Sequence, residues 1–421
     1  VEVASPIIKV PLNEAKELVK QLYLKGHRQS ILWLGAPGIG KSEGIKQIAE
    51  ELADIKRKEF EPIKFRFRGK KLLNYTTVYE RAAAILSEPD RYFSFLDIRL
   101  TEFEPVDLMG VPRDFKLNIK DLEATLFDYQ PFIWQLIASS TAGIALFDEV
   151  TNVNRPDLRT VMYKILRDRM TGWVEFHPDM LVMAAGNRPE DAAIASQLDA
   201  PVINRVLVMN ILQPSVDDWA EKYMNKYVED WDRRVYAFLK RFENFMFQKP
   251  QDVETLDPFP TPRSWTELAK ISHKISEDHL EYVVYGEVGA EAASHFVTFV
   301  RTNVPDLSEV LAHPEKLAAL DVDGKYLVAS QVASQINAEL TANPHKKTDV
   351  KPAVQKYVRL FTWLNQNDRE ILMLILTMCN DKVRVRLHAT MLTIPALRPV
   401  AEFMKDSIKL GWDVGIDKTR R

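Results

Sequence analysis

At 421 residues the chain is too long for one ordinary hydrophobic core, so two or three domains are expected. Its 46% hydrophobic and 27% charged residues are those of a soluble globular protein, and a net charge of −3 gives no global reason to expect a polyanion partner. The single cysteine, Cys379, excludes an intramolecular disulfide and a cysteine-based zinc site, and together with the lack of a membrane-length apolar run or a secretory signal pattern it implies a cytoplasmic protein.

In chain order, Ile31-Leu32-Trp33-Leu34 reads as a buried strand and Glu43 to Leu52 as the helix after it. Lys56 to Lys71 then carries eight Lys and Arg interleaved with Phe60, Phe65 and Phe67. That pattern suits an exposed hairpin whose aromatics pack on the domain, or alternatively a basic aromatic surface for a polyanion or partner. Phe93 to Ile98, Gly143 to Phe147, Leu181 to Ala185 and Val206 to Ile211 are four more short strands, separated by helical patterns such as Pro131 to Ser140 and Arg155 to Arg167. Strands alternating with helices predict an α/β fold, a parallel five-stranded sheet with helices on both faces. After Pro214 the pattern turns to amphipathic helices, so a boundary is expected near residue 213.

Between the first strand and its helix stands Gly35-Ala36-Pro37-Gly38-Ile39-Gly40-Lys41-Ser42. Glycines at the first and sixth positions followed by Lys-Ser form the phosphate-binding loop, whose backbone N–H groups wrap an anion at a helix N-terminus. Lys41 is expected to reach the β- and γ-phosphates, and Ser42 to ligate Mg²⁺. The loop therefore binds a nucleoside triphosphate through residues Gly35 to Glu43. Downstream, "GIALFDEV" ends a strand in Asp148-Glu149. Asp148 suits the Mg²⁺ and Glu149 suits a general base on the attacking water. Asn187 follows a strand expected beside that one, where an uncharged amide can orient water. Arg205 precedes the last strand and Arg263 opens a helix in the second half.

The ordered set GAPGIGKS, IALFDEV, AAGN, NR before a strand, and TPRSW resembles an AAA+ ATPase. More narrowly it resembles the MoxR-like group, in the branch with an insert in its second helix and a hairpin before sensor 1. "PVDLMGVP" and "ILRDRMTGWVEFHPDMLVMAAGNR" carry that narrower likeness. The resemblance implies ATP with Mg²⁺ as cofactors and matches Asn187 to sensor 1, Arg205 to the arginine finger and Arg263 to sensor 2. It further implies an α/β domain over 1–213, a helical lid over 214–280 and a C-terminal helical extension over 281–421. A hexameric ring that remodels a protein client is implied, often with a von Willebrand factor A domain partner. The alternative is a nucleic-acid motor, served by Arg167, Arg169 and the basic segment. One departure is that Asn154-Arg155-Pro156 comes later than the Asn-Arg of many MoxR-like chains, which makes Arg155 and Arg159 rival trans-acting arginines.

Overall fold

Ala142–Asp148 and Met180–Gly186 are buried along their whole length, as strands are when helices cover both faces of a parallel sheet. In the computed structural model these lie at the centre of the first of two compact units, Val1–Gln213 and Pro214–Arg421. The described residues are 8–63, 73–119, 122–188, 200–249, 257–341 and 350–407.

The first unit runs β1 (Lys9–Pro11), α1 (Leu12–Leu24), β2 (Ile31–Leu34), α2 (Lys41–Lys56), β3 (Glu59–Ile63), α3 (Leu73–Ser87) and β4 (Tyr92–Arg99). It continues through α4 (Pro105–Met109), β5 (Val111–Ile119), β6 (Leu122–Gln130), α5 (Ile133–Ser140), β7 (Ala142–Asp148) and α6 (Pro156–Asp168). It closes with β8 (Met170–Thr171), β9 (Val174–Glu175), β10 (Met180–Gly186), α7 (Ala200–Ile203) and β11 (Leu207–Leu212). The main sheet has seven strands in the order β1-β11-β2-β10-β7-β4-β3, every pair parallel.

Seven strands correct the expected five. The two additions are the edges, β1 and β3, which carry Pro11 and Pro62 and expose part of their length. Proline is tolerated at an edge, where an unmade N–H bond costs nothing to the ladder, but it erases the apolar signature of a strand. β3 also corrects the expected hairpin over the basic segment: Glu59–Ile63 pairs parallel with Tyr92–Leu96. Residues 64–71 of that segment lie outside the described residues.

Two antiparallel hairpins interrupt the βα alternation. β5 and β6 pair over nine residues each between α4 and α5, and every side chain described on them is exposed. β8 and β9 form a two-residue ladder just before β10.

The second unit is all-helical among its described residues. One hydrophobic core runs through it from Val216 to Met404. Phe238 meets Phe296 edge-on at 5.3 Å and Trp265 lies 6.0 Å from Phe296, so helices on either side of residue 280 share that core. No described helix is long and apolar enough to cross a membrane.

Gly143 marks how closely the central strands approach. A Cβ there would run into the carbonyl of Ser94 on β4. Gly143→Ala is expected to cost about 1–3 kcal/mol, as overpacking does. For a unit of this size that lowers Tm by about 2–12 °C, which thermal unfolding followed by circular dichroism will measure.

Candidate active site

The strand order decides which side chains meet. β10 lies between β2 and β7, in register Ala184↔Leu32 and Ala184↔Phe147. All three strands are parallel, so the segments after them emerge on one edge of the sheet, where α/β proteins bind ligands. Those segments are the glycine loop, Asn187 and Asp148-Glu149.

The loop is shaped by backbone that only glycine adopts easily. Gly38 and Gly40 have φ of 76° and 94°. Gly35 has no room for a Cβ, which would sit 2.7 Å from the carbonyl oxygen of Ile211 and 2.9 Å from Cδ1 of Ile39. Ile39 is itself buried and anchors the turn, while Ala36 and Pro37 are half-exposed. Gly40 caps α2, so Lys41 and Ser42 open the helix with Glu43 in its first turn, and the positive end of the helix dipole faces the loop.

Lys41 is the hub. Its Nζ donates to the carbonyls of Gly35 at 2.9 Å and Ala36 at 2.8 Å, and to Oδ1 of Asn187 at 3.0 Å. Ser42 Oγ donates to Asp148 Oδ2 at 2.5 Å. A hydroxyl and a carboxylate oxygen thus face each other beside the loop, and Asp148 is only 9% exposed. Among the described residues no group of three or more His, Cys, Asp or Glu could hold a metal. This donor set fits Mg²⁺, which keeps several waters and takes one or two protein oxygens together with phosphate.

Glu149 adopts φ 60° and ψ 31°, a left-handed conformation rare outside glycine, and its N–H donates to Asp148 Oδ1 at 2.9 Å. Its Oε2 accepts from Thr101 Oγ1 at 2.8 Å, and Thr101 itself follows β4 on the same edge. The N–H of Asn187 donates to Thr151 Oγ1 at 2.8 Å. Thr101 and Thr151 escaped the sequence reading: a hydroxyl just past a strand is too common to carry a signal.

The arginines divide. Arg205 is exposed and lies two residues before β11, whose Leu207 is level with Ile31 of β2. It therefore sits at the N-terminal ends of the strands, opposite the end that carries the loop, separated by a strand rising about 3.3 Å per residue. Arg155 pairs within the chain with Glu104 and with Asp157 at 2.8 Å, and Arg159 Nε donates to the Val153 carbonyl at 2.9 Å. Arg263 belongs to the second unit, exposed on the first turn of helix Pro262–Ile271, which Thr261 and Ser264 close with a capping box.

The fold is a P-loop α/β fold, a parallel sheet with the order β11-β2-β10-β7-β4 at its centre, and a helical region follows it in the chain. No protein-family profile matches the chain, and none of the curated proteins matches it. Among solved structures it is similar to C. elegans PCH-2, at 15% identity over 68% of this chain and 67% of that one, with a TM-score of 0.28. RuvB of Thermotoga maritima is 14% identical over 75% of this chain and 87% of its own, TM-score 0.30. ORC2 of Aeropyrum pernix, in ADPNP and ADP complexes, is 12% identical over 96% and 87%, TM-score 0.29.

Lys41→Ala removes the cation that three acceptors share. Affinity for a nucleoside triphosphate is expected to fall at least about tenfold, the scale of one charge-assisted hydrogen bond. Titration with a fluorescent nucleotide measures this, and unchanged affinity would take Lys41 out of the site.

Proposed function

We propose that the chain is an AAA+ ATPase of the MoxR-like kind, which binds ATP with Mg²⁺, hydrolyses it, and uses the cycle to remodel a protein partner as a ring. The observation that carries the ATPase reading is the meeting of Lys41, Asn187, Ser42, Asp148 and Glu149 on one sheet edge. Lys41 and the loop amides bind phosphate. Ser42 and Asp148 would hold the metal, which would supply positive charge against the phosphates. Glu149 takes a proton from the attacking water, and Asn187 orients that water.

The narrower MoxR-like reading is supported by the two hairpins, one between α4 and α5 and one before β10. A ring is supported by Arg205. Standing at the opposite end of the strands, it has no path to its own loop and suits a neighbour's γ-phosphate. Arg263, on the second unit, is assigned to sensor 2 by the resemblance alone, as is a von Willebrand factor A domain partner. The nucleic-acid alternative loses two of its features. Arg167 is paired with Asp168 at 2.6 Å, and Arg169 turns inward onto the carbonyls of His177, Pro178 and Met180.

Glu149→Gln is expected to keep ATP binding and lose at least about 10²-fold in turnover, as removal of a general base does. A phosphate-release assay beside a binding titration separates the two. Near-normal turnover would overturn the assignment of Glu149.

Arg205→Ala is expected to assemble and bind ATP while losing turnover about 10³-fold or more, by analogy with arginine fingers. Mixed with Lys41→Ala it should regain activity, because one variant supplies the finger and the other the pocket. No recovery in demonstrably mixed assemblies would exclude Arg205 as the trans-acting group.

A further inference from the structure

Asn187 contacts Lys41 through its side chain, but its backbone is fixed by something else. The N–H of Asn187 donates to Thr151 Oγ1 at 2.8 Å. Thr151 is 3% exposed and lies in the 3-10 turn Val150–Asn152, which begins directly after Glu149. That turn is closed by Asn152 N–H on the Glu149 carbonyl at 2.9 Å. One residue before Asn187, a Cβ on Gly186 would stand 2.8 Å from Cγ2 and 2.9 Å from Oγ1 of Thr151. The threonine side chain therefore fills the space a side chain at 186 would need. On its other flank the Gly186 carbonyl accepts the N–H of Gly35 at 3.3 Å, at the start of the glycine loop.

We infer that Thr151 is a positioning residue that couples the Asp148-Glu149 turn to Asn187, so that general base and water-orienting amide are held in one mutual geometry. This rests on the ATPase reading above. The hydroxyl sets the height of the Asn187 backbone and the methyl seats against Gly186. The path is continuous: Glu149, two residues of turn, the Thr151 hydroxyl, the Asn187 N–H, and the Asn187 amide oxygen on Lys41 Nζ at 3.0 Å. A change in the Glu149 turn moves Asn187 with it. A misplacement of this order is felt in the chemical step rather than in ground-state binding, since Asn187 acts on water and not on the bulk of the nucleotide.

The test compares Thr151→Val, which keeps the shape and loses the acceptor, with Thr151→Ser, which keeps the acceptor and loses the methyl. Two measurements are made on the full chain: steady-state ATP kinetics beside nucleotide affinity, and amide hydrogen exchange at Asn187. Thr151→Val is expected to lower kcat about tenfold or more with KM and nucleotide affinity within about twofold, while Thr151→Ser recovers most of kcat. The Asn187 amide should exchange faster in the valine variant and stay protected in the serine one. Wild-type kcat and unchanged exchange in Thr151→Val would overturn the inference. So would equal loss in both variants with weakened nucleotide affinity, which marks packing alone. If the wild type binds ATP without turning it over, the ATPase reading fails by itself, and the exchange comparison still decides whether Thr151 holds Asn187.

Discussion

The ammonium of Lys41 is the contact on which the site depends. It donates to two loop carbonyls and an amide oxygen that belong to segments far apart in sequence, Gly35-Ala36 and Asn187. That meeting is possible only because β10 is threaded between β2 and β7. In a sheet where sequential strands lay side by side, Asn187 would emerge beyond Asp148, not beside the loop. The sheet order is thus a chemical constraint as well as a topological one. It forces the glycine loop, the Ser42–Asp148 pair and the Asn187 amide together at the C-terminal ends of the strands.

A second consequence is that the site is tied together by hydroxyls. Ser42 bonds to Asp148, Thr101 to Glu149 and Thr151 to the Asn187 backbone. Thr101 and Thr151 join segments that follow neighbouring strands, β4 with β7 and β7 with β10, while Ser42 reaches across β10 to Asp148; none needs a change of charge to do so. Glu149 sits in a left-handed backbone conformation that costs energy for a residue with a Cβ. The turn after it, closed by Asn152 and seated by Thr151, over-determines that conformation. Strain at Glu149 is compatible with stability because the turn is anchored to β10.

Of the five inner strands, β7 and β10 were legible because burial on both faces writes a continuous apolar run, and β2, β4 and β11 because they stay largely apolar though partly exposed. The edges were not, since Pro11 and Pro62 and the charges around them read as loop. The hairpin of β5 and β6 escaped for the opposite reason. Its side chains whose burial is described are all exposed, so those positions offer no buried face by which a strand is recognised. In the site, residues with distinctive chemistry at fixed spacing were legible, notably the loop glycines, Lys41, Ser42 and Asp148-Glu149. Thr101 and Thr151 were not, because what distinguishes them is whose atom they face across the sheet edge. Local sequence carries no record of that.

The position of Arg205 adds an argument about control. A parallel sheet has two chemically distinct ends, and this chain puts the glycine loop and the Asp148-Glu149 turn at one and Arg205 at the other. On the proposed reading, a lone subunit holds every group except the one that stabilises charge in the transition state. Completing the site then requires an oriented neighbour, so hydrolysis reports assembly. The hydroxyl links within the subunit and the arginine between subunits would act on the same γ-phosphate from two sides. Geometry at one interface would thereby reach Asn187 and Glu149 of the next subunit through contacts already present, with no further moving part.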